Sequence, residues 1–172
     1  MGDVNWDYKL EDDQSDNPVV MSKIITLPKG FPYPKDEDLL GPSKIFKTDG
    51  TRLRTWGRKK DKNGKVMWQD SPHWIGTRRG TPLHRDELYP RYTHQLKVRV
   101  DDGIYARGLN KEEIKLERGL FYILDTHSPH QVFRKEEDAY WNISVSIDSY
   151  DLLPVDETIR RCINYGFNNS VW

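Results

Sequence analysis

The 172-residue chain has one cysteine, Cys162, and no excess of either charge, with Lys+Arg and Asp+Glu at 27 each. A single cysteine excludes an intramolecular disulfide and a thiolate metal cage, and a reducing compartment, the cytoplasm, is the matching expectation. Balanced charge gives no global field toward nucleic acid or anionic lipid, so either partner would need a local patch. No apolar run reaches the roughly 20 residues that a membrane-spanning helix requires. The N-terminus is acidic where a signal peptide would be basic and then apolar. Aromatic residues, in contrast, are plentiful. Six Trp, nine Tyr and five Phe supply core material despite a mean hydropathy of -0.85.

The length suits one hydrophobic core. Residues 1–17, with Asp3, Asp7, Glu11, Asp12, Asp13 and Asp16, read as an acidic, partly ordered arm anchored through Trp6 and Tyr8, and residues 18–172 as a single domain. Residues 19–27 are rich in β-branched side chains and predict a strand. Pro28, Gly30, Pro32, Pro34 and Pro42 then enforce an irregular connection, which together with residues 85–92 is a candidate cover for a site. Asp49-Gly50 and Asn63-Gly64 suit the turns of two hairpins.

From residue 73 onward, short β segments follow one another at 74–86, 93–100, 104–107, 120–125, 130–134 and 140–149. That succession predicts a mainly β architecture, a jelly roll or barrel. Few helices are expected: a turn at 111–113 capped by Asn110, and a C-terminal helix from Val155 to Tyr165 that ends at Gly166. Cys162 on that helix reads as a small buried residue. Arg52, Arg54, Arg58, Lys59, Lys60, Lys62 and Lys65, interleaved with Trp56 and Trp68, read as the solvated outer face of a hairpin.

His84 and Asp86 are one residue apart, so on an extended strand both side chains leave the same face and can share a ligand sphere. A third donor is offered by His130 or by His127, which lie between the same two β segments. Two imidazoles and one carboxylate form a facial set that leaves positions of an octahedral Fe(II) open to a chelating cosubstrate and O2. Catalytic zinc with a water ligand is the competing assignment. His73 and His94 lack such a context and read as structural or surface residues.

The segments Thr81-Pro82-Leu83-His84-Arg85-Asp86, Gly119 through Val132, and Asn142 through Asp148 resemble the Fe(II)/2-oxoglutarate-dependent oxygenases. Within them the likeness is to the aspartyl/asparaginyl β-hydroxylase and proline cis-hydroxylase group, and it spans about residues 74–148. The resemblance implies a double-stranded β-helix, cupin-like, with few flanking helices. It implies Fe(II) held by His84, Asp86 and His130, the last chosen over His127 because His130-Gln131-Val132 matches the family's final histidine motif. It also implies 2-oxoglutarate as cosubstrate and hydroxylation of an amino acid, a peptide side chain or a small metabolite. His127, Gln95 and Asn142 are then expected around the ligands or the substrate.

The chain departs from the family pattern at one place. The Arg that binds the distal carboxylate of 2-oxoglutarate would fall at about residues 140–142, where no base stands. Arg99, then Arg78, then Lys97 are the substitutes. Arg99 and Lys97 lie on the 93–100 strand, the region from which asparaginyl-hydroxylase and Jumonji-type oxygenases supply their base, and Arg78 shares its parity with His84. Without such a base, a metal-dependent cupin enzyme that does not use 2-oxoglutarate, or a non-enzymatic ligand-binding β-sandwich, is the alternative.

Overall fold

The computed structural model describes residues 4–5, 18–40, 53–56, 61–64, 70–78, 80–86, 90–108, 112–139 and 141–170. The protein is mainly β, with antiparallel sheets and two helices among these residues. In chain order the elements are β1 (Val4–Asn5), β2 (Val19–Ile24), α1 (Asp36–Leu40), β3 (Leu53–Trp56), β4 (His73–Arg78), β5 (Arg85–Asp86) and β6 (Tyr92–Val100). They continue with β7 (Ile104–Gly108), β8 (Glu113–Lys115), β9 (Leu120–Asp125), β10 (His130–Arg134), β11 (Trp141–Ser149) and α2 (Val155–Asn168).

Three antiparallel sheets result among the described residues. The largest has the order β2-β9-β6-β11-β4-β3, the second β10-β7-β8, and the third pairs β1 with β5. His84, just before β5, bridges to His130 and thereby joins the two small sheets along one edge. From β4 onward the chain alternates between the large sheet and the smaller ones: β4, β6, β9 and β11 lie in the former, and β5, β7, β8 and β10 in the latter.

Period-2 alternation sorts the side chains of the large sheet. On β11, Trp141, Ile143, Val145 and Ile147 point to an outer core that includes Trp74, Leu96, Val98, Phe121, Ile123, Ile159 and Cys162. Burial of each such large side chain contributes roughly 1.5–3 kcal/mol. The intervening Asn142, Ser144 and Ser146 are buried on the opposite, inner face. There Leu120 packs with Ile104 and Ala106 of β7 in a second, smaller core.

Several sequence expectations change in detail. The single strand expected at 74–86 is two, in different sheets, because the chain turns at Gly80 (φ 87). A Cβ at Gly80 would lie 2.5 Å from the Val132 carbonyl oxygen, so this crossing requires glycine. Glu113 opens a strand, where a turn running through it was expected; Asn110 and Lys111 lie outside the described residues. The C-terminal helix passes through Gly166, which receives the ring of Phe31, and ends at Asn168. Cys162 is fully buried, and burial pushes its thiol up to about 12.

Through Leu40 the proline-rich segment packs on the outer face, away from the candidate metal ligands, whereas Pro42 and residues 87–89 of the other candidate cover lie outside the described residues. Phe31 and Leu39 are buried in the outer core, and α1 follows Pro34. Arg118 donates to the carbonyls of Phe31, Pro32 and Val98, and Arg99 donates to that of Pro34, so two guanidinium groups clamp the segment to the outer face. Of the expected hairpins, β3 pairs with β4, and Asp61 to Gly64 form a turn with Gly64 at φ 81. The Asp49-Gly50 turn, most of the basic run, and the arm apart from β1 lie outside the described residues. No helix among the described residues is long and apolar enough to cross a membrane.

Candidate metal centre

His84, Asp86 and His130 meet where the two small sheets join. Their ligand atoms all lie within 4.8 Å of one another, and no other group of three potential ligands occurs among the described residues. The backbone sets this approach: His84 N–H donates to His130 O at 3.0 Å, and His130 N–H returns a bond to His84 O at 2.9 Å. Thr81 fastens the entering chain to β10, its N–H on the Val132 carbonyl and its Oγ1 accepting from Val132 N–H. The two imidazole centroids are 4.3 Å apart.

Each ring is fixed from behind. His84 Nδ1 lies 2.6 Å from the Pro82 carbonyl oxygen, and His130 Nδ1 lies 2.8 Å from that of Ser128. A carbonyl only accepts, so Nδ1 carries the hydrogen in both rings and each Nε2 presents a lone pair. Those Nε2 atoms face Asp86, at 3.4 Å from its Oδ1 for His84 and 3.8 Å from its Oδ2 for His130. Asp86 N–H is held by the Thr126 carbonyl.

The electrostatics suit a cation. Burial, reinforced by the Coulombic field of Asp148, pushes the Asp86 carboxyl up to about 7. Burial first, and then the neighbouring His84, drives His130 down to about 3, and burial also lowers His84. Neutral imidazoles are what a metal needs, and a divalent ion would restore the carboxylate that burial disfavours. Two buried nitrogen donors and one partly buried oxygen donor, pre-oriented by the backbone, fit Fe(II), Mn(II) or zinc. His127 is not part of the cluster. It sits in the turn before β10, where its N–H donates to Asp125 Oδ1.

The three candidate bases part company. The pairing of β6 with β11 skips Val98: Lys97 opposes Ser144, but Arg99 opposes Ile143. This bulge turns Arg99 to the outer face, where it bonds Pro34 O, Asp36 and Asp101. Arg78 opposes Trp141 and lies over its ring, also outward; the crossing at Gly80 breaks the parity that would have linked it to His84. Arg99 and Arg78 are therefore corrected as candidate cosubstrate residues.

Lys97 faces inward and is fully buried. Its Nζ donates to Gln95 Oε1 at 2.8 Å and lies 5.0 Å from the centre of the Tyr122 ring. Tyr122 Oη also donates to Gln95 Oε1, at 3.4 Å. A polar file runs on from there. Gln95 Nε2 donates to Thr93 Oγ1 at 3.4 Å, Thr93 and Ser146 hydroxyls are 2.7 Å apart, and Ser146 Oγ donates to Asp148 Oδ1 at 3.3 Å. Asp148 in turn is near enough to perturb Asp86.

Two inward atoms, Thr77 Oγ1 and Asn142 Oδ1, are buried without a hydrogen-bond partner among the described residues. They face each other across the β4–β11 pair, one step from Ser144 and Lys97. Tyr122, Thr77, Thr93 and Ser146 were not anticipated from the sequence. The only signal for them is alternation on strands whose other face is apolar.

No protein-family model matches the chain, and comparison with curated proteins returns no match.

Proposed function

We propose that this chain is an Fe(II)- and 2-oxoglutarate-dependent oxygenase on a double-stranded β-helix, hydroxylating an amino acid, a peptide side chain or a small metabolite. The observation that carries the reading is the convergence of His84, Asp86 and His130, with both imidazole tautomers set by backbone carbonyls. The strand order supports the jelly-roll part, since from β4 onward the chain passes back and forth between the large sheet and the smaller ones, and the large sheet shares an inner core with the β10-β7-β8 sheet.

The facial set would leave room for a bidentate oxo acid and O2. When bound, iron would supply reductive activation of O2, coupled to loss of CO2 from 2-oxoglutarate, with one oxygen atom of O2 entering succinate and the other the hydroxylated substrate. The protein's own part is placement. Lys97 is the base suited to the distal carboxylate, because a buried carboxylate needs a charge-assisted donor and Lys97 is the candidate base on the inner face. Gln95 holds the amine in position, while Thr77 and Asn142 offer inward polar atoms. Ile104, Ala106, Leu116 and Leu120 pack as a buried apolar cluster between these sheets, which disfavours water there.

The test is anaerobic addition of Fe(II) and 2-oxoglutarate, which should produce the visible charge-transfer band of a chelated ferrous complex. Stoichiometric metal without the band would favour a cupin-type metal enzyme with another cosubstrate. No metal uptake that depends on His84 or His130 would leave only a ligand-binding β protein.

A further inference from the structure

The outer edge of β5 runs directly beside the metal ligands. The backbone groups of His84 are engaged with His130, and Asp86 N–H with Thr126 O, all on the β10 side. Peptide groups of consecutive strand residues alternate in direction, so those of Arg85 point the opposite way. There the chain's own residues Val4–Asn5 form β1, antiparallel to β5, with Asn5 opposite Arg85 and Val4 opposite Asp86.

From this geometry we infer that the β5 edge is a docking rail for an extended peptide, which adds as an antiparallel strand in the place of residues 4–5. Neighbouring strands lie about 4.8 Å apart, and directly opposed residues share a face of the sheet. A peptide residue opposite Asp86 therefore projects to the side from which the carboxylate meets the two imidazoles. Main-chain bonds to Arg85 give affinity without reading sequence, and the residue opposite Asp86 is the one presented. The substrate class is then a peptide, and residues 4–5 are a tethered occupant of the same rail. The assignment of substrate rests on the oxygenase reading; the docking does not.

The experiment uses the full Mn(II)-loaded chain, the full-length Asn5→Pro variant, and a synthetic peptide of residues 1–17 added in trans, with binding read by calorimetry. Proline removes the N–H that residue 5 offers to Arg85. The variant should bind the peptide at least about tenfold more tightly than the unaltered chain, whose own arm competes at high effective concentration. The same peptide N-methylated at residue 5 should bind about tenfold more weakly, the cost of a lost ladder bond and a steric block. Equal binding by the two proteins, equal binding of the two peptides, or no binding by the variant overturns the inference.

Unchanged Mn(II) affinity in Asn5→Pro verifies an intact centre. Peptide binding with no ferrous 2-oxoglutarate band would sink the oxygenase reading and leave the rail. The band without peptide binding would do the reverse.

Discussion

Lys97 and Gln95 stand two residues apart on the inner face of β6, and the lysine Nζ donates to the glutamine Oε1 at 2.8 Å. The amide is neutral, so it orients the amine without cancelling its charge. Burial alone lowers this lysine to about 7, which leaves it ready to be charged by an incoming carboxylate.

Replacing Lys97 with Met should therefore weaken 2-oxoglutarate binding by about a hundredfold or more, the loss of a buried charge-assisted bond, with metal affinity unchanged. Calorimetry with Mn(II) present separates the two affinities. Arg99→Ala should act in the opposite sense. It removes the tie from β6 to Pro34 and Asp36 and should cost about 1–3 kcal/mol in urea unfolding, while cosubstrate affinity stays as it was.

His130→Ala should reduce metal affinity by well over the roughly 10–100-fold that loss of an outer partner costs. His127→Ala should leave it within about tenfold, because that residue lies outside the cluster. Competitive chelator titration measures both. Equal losses would remove His130 from the ligand set.

Metal affinity should rise with pH up to about 7. Below that value Asp86 holds a proton in the metal-free protein and must release it to bind, so affinity should increase about tenfold per pH unit and level off above 7. His130, already down at about 3, adds no second proton in this window. A pH series of Mn(II) titrations gives the slope.

For 2-oxoglutarate the sign reverses. A carboxylate favours the charged amine, and above about 7 the free protein has lost that proton, so binding must take one up and affinity should fall about tenfold per unit. The Lys97→Met variant should lose this dependence, measured at saturating metal.

Gly166→Ala tests the seat of the proline-rich segment. Its Cβ would come within 2.7 Å of the Phe31 ring, and Phe31 is buried in the outer core. Overpacking of this kind costs about 1–3 kcal/mol, and a thermal unfolding scan should show the decrease despite alanine's better helix propensity.

The approach of His84 and Asp86 was legible because a spacing of one residue along an extended segment fixes a common face. The apolar run at residues 120–125 and the turn after it narrowed the third member to His127 or His130, and the family resemblance pointed to His130, the one that joins the cluster. The inner polar face was only half legible. Gln95 and Asn142 could be named, but which of three bases faces inward depends on the bulge at Val98, and a bulge leaves no mark in a run of buried residues. The arginines misled for a related reason: Arg78 and Arg99 look like site bases in sequence, yet their aliphatic stems and guanidinium forks serve to cover Trp141 and to hold a loop. The proline-rich segment showed where the chain is irregular but not which side of the sheet it crosses.

The paired backbone bonds between His84 and His130 mean that the spacing of the two rings is written into the main chain and does not wait for an ion to impose it. Stripping with a chelator should accordingly leave a folded protein whose socket is already shaped. A spacing fixed before the ion arrives also means that the ion must fit the socket, so geometry and ligand type act alongside cellular supply in choosing which divalent cation is held.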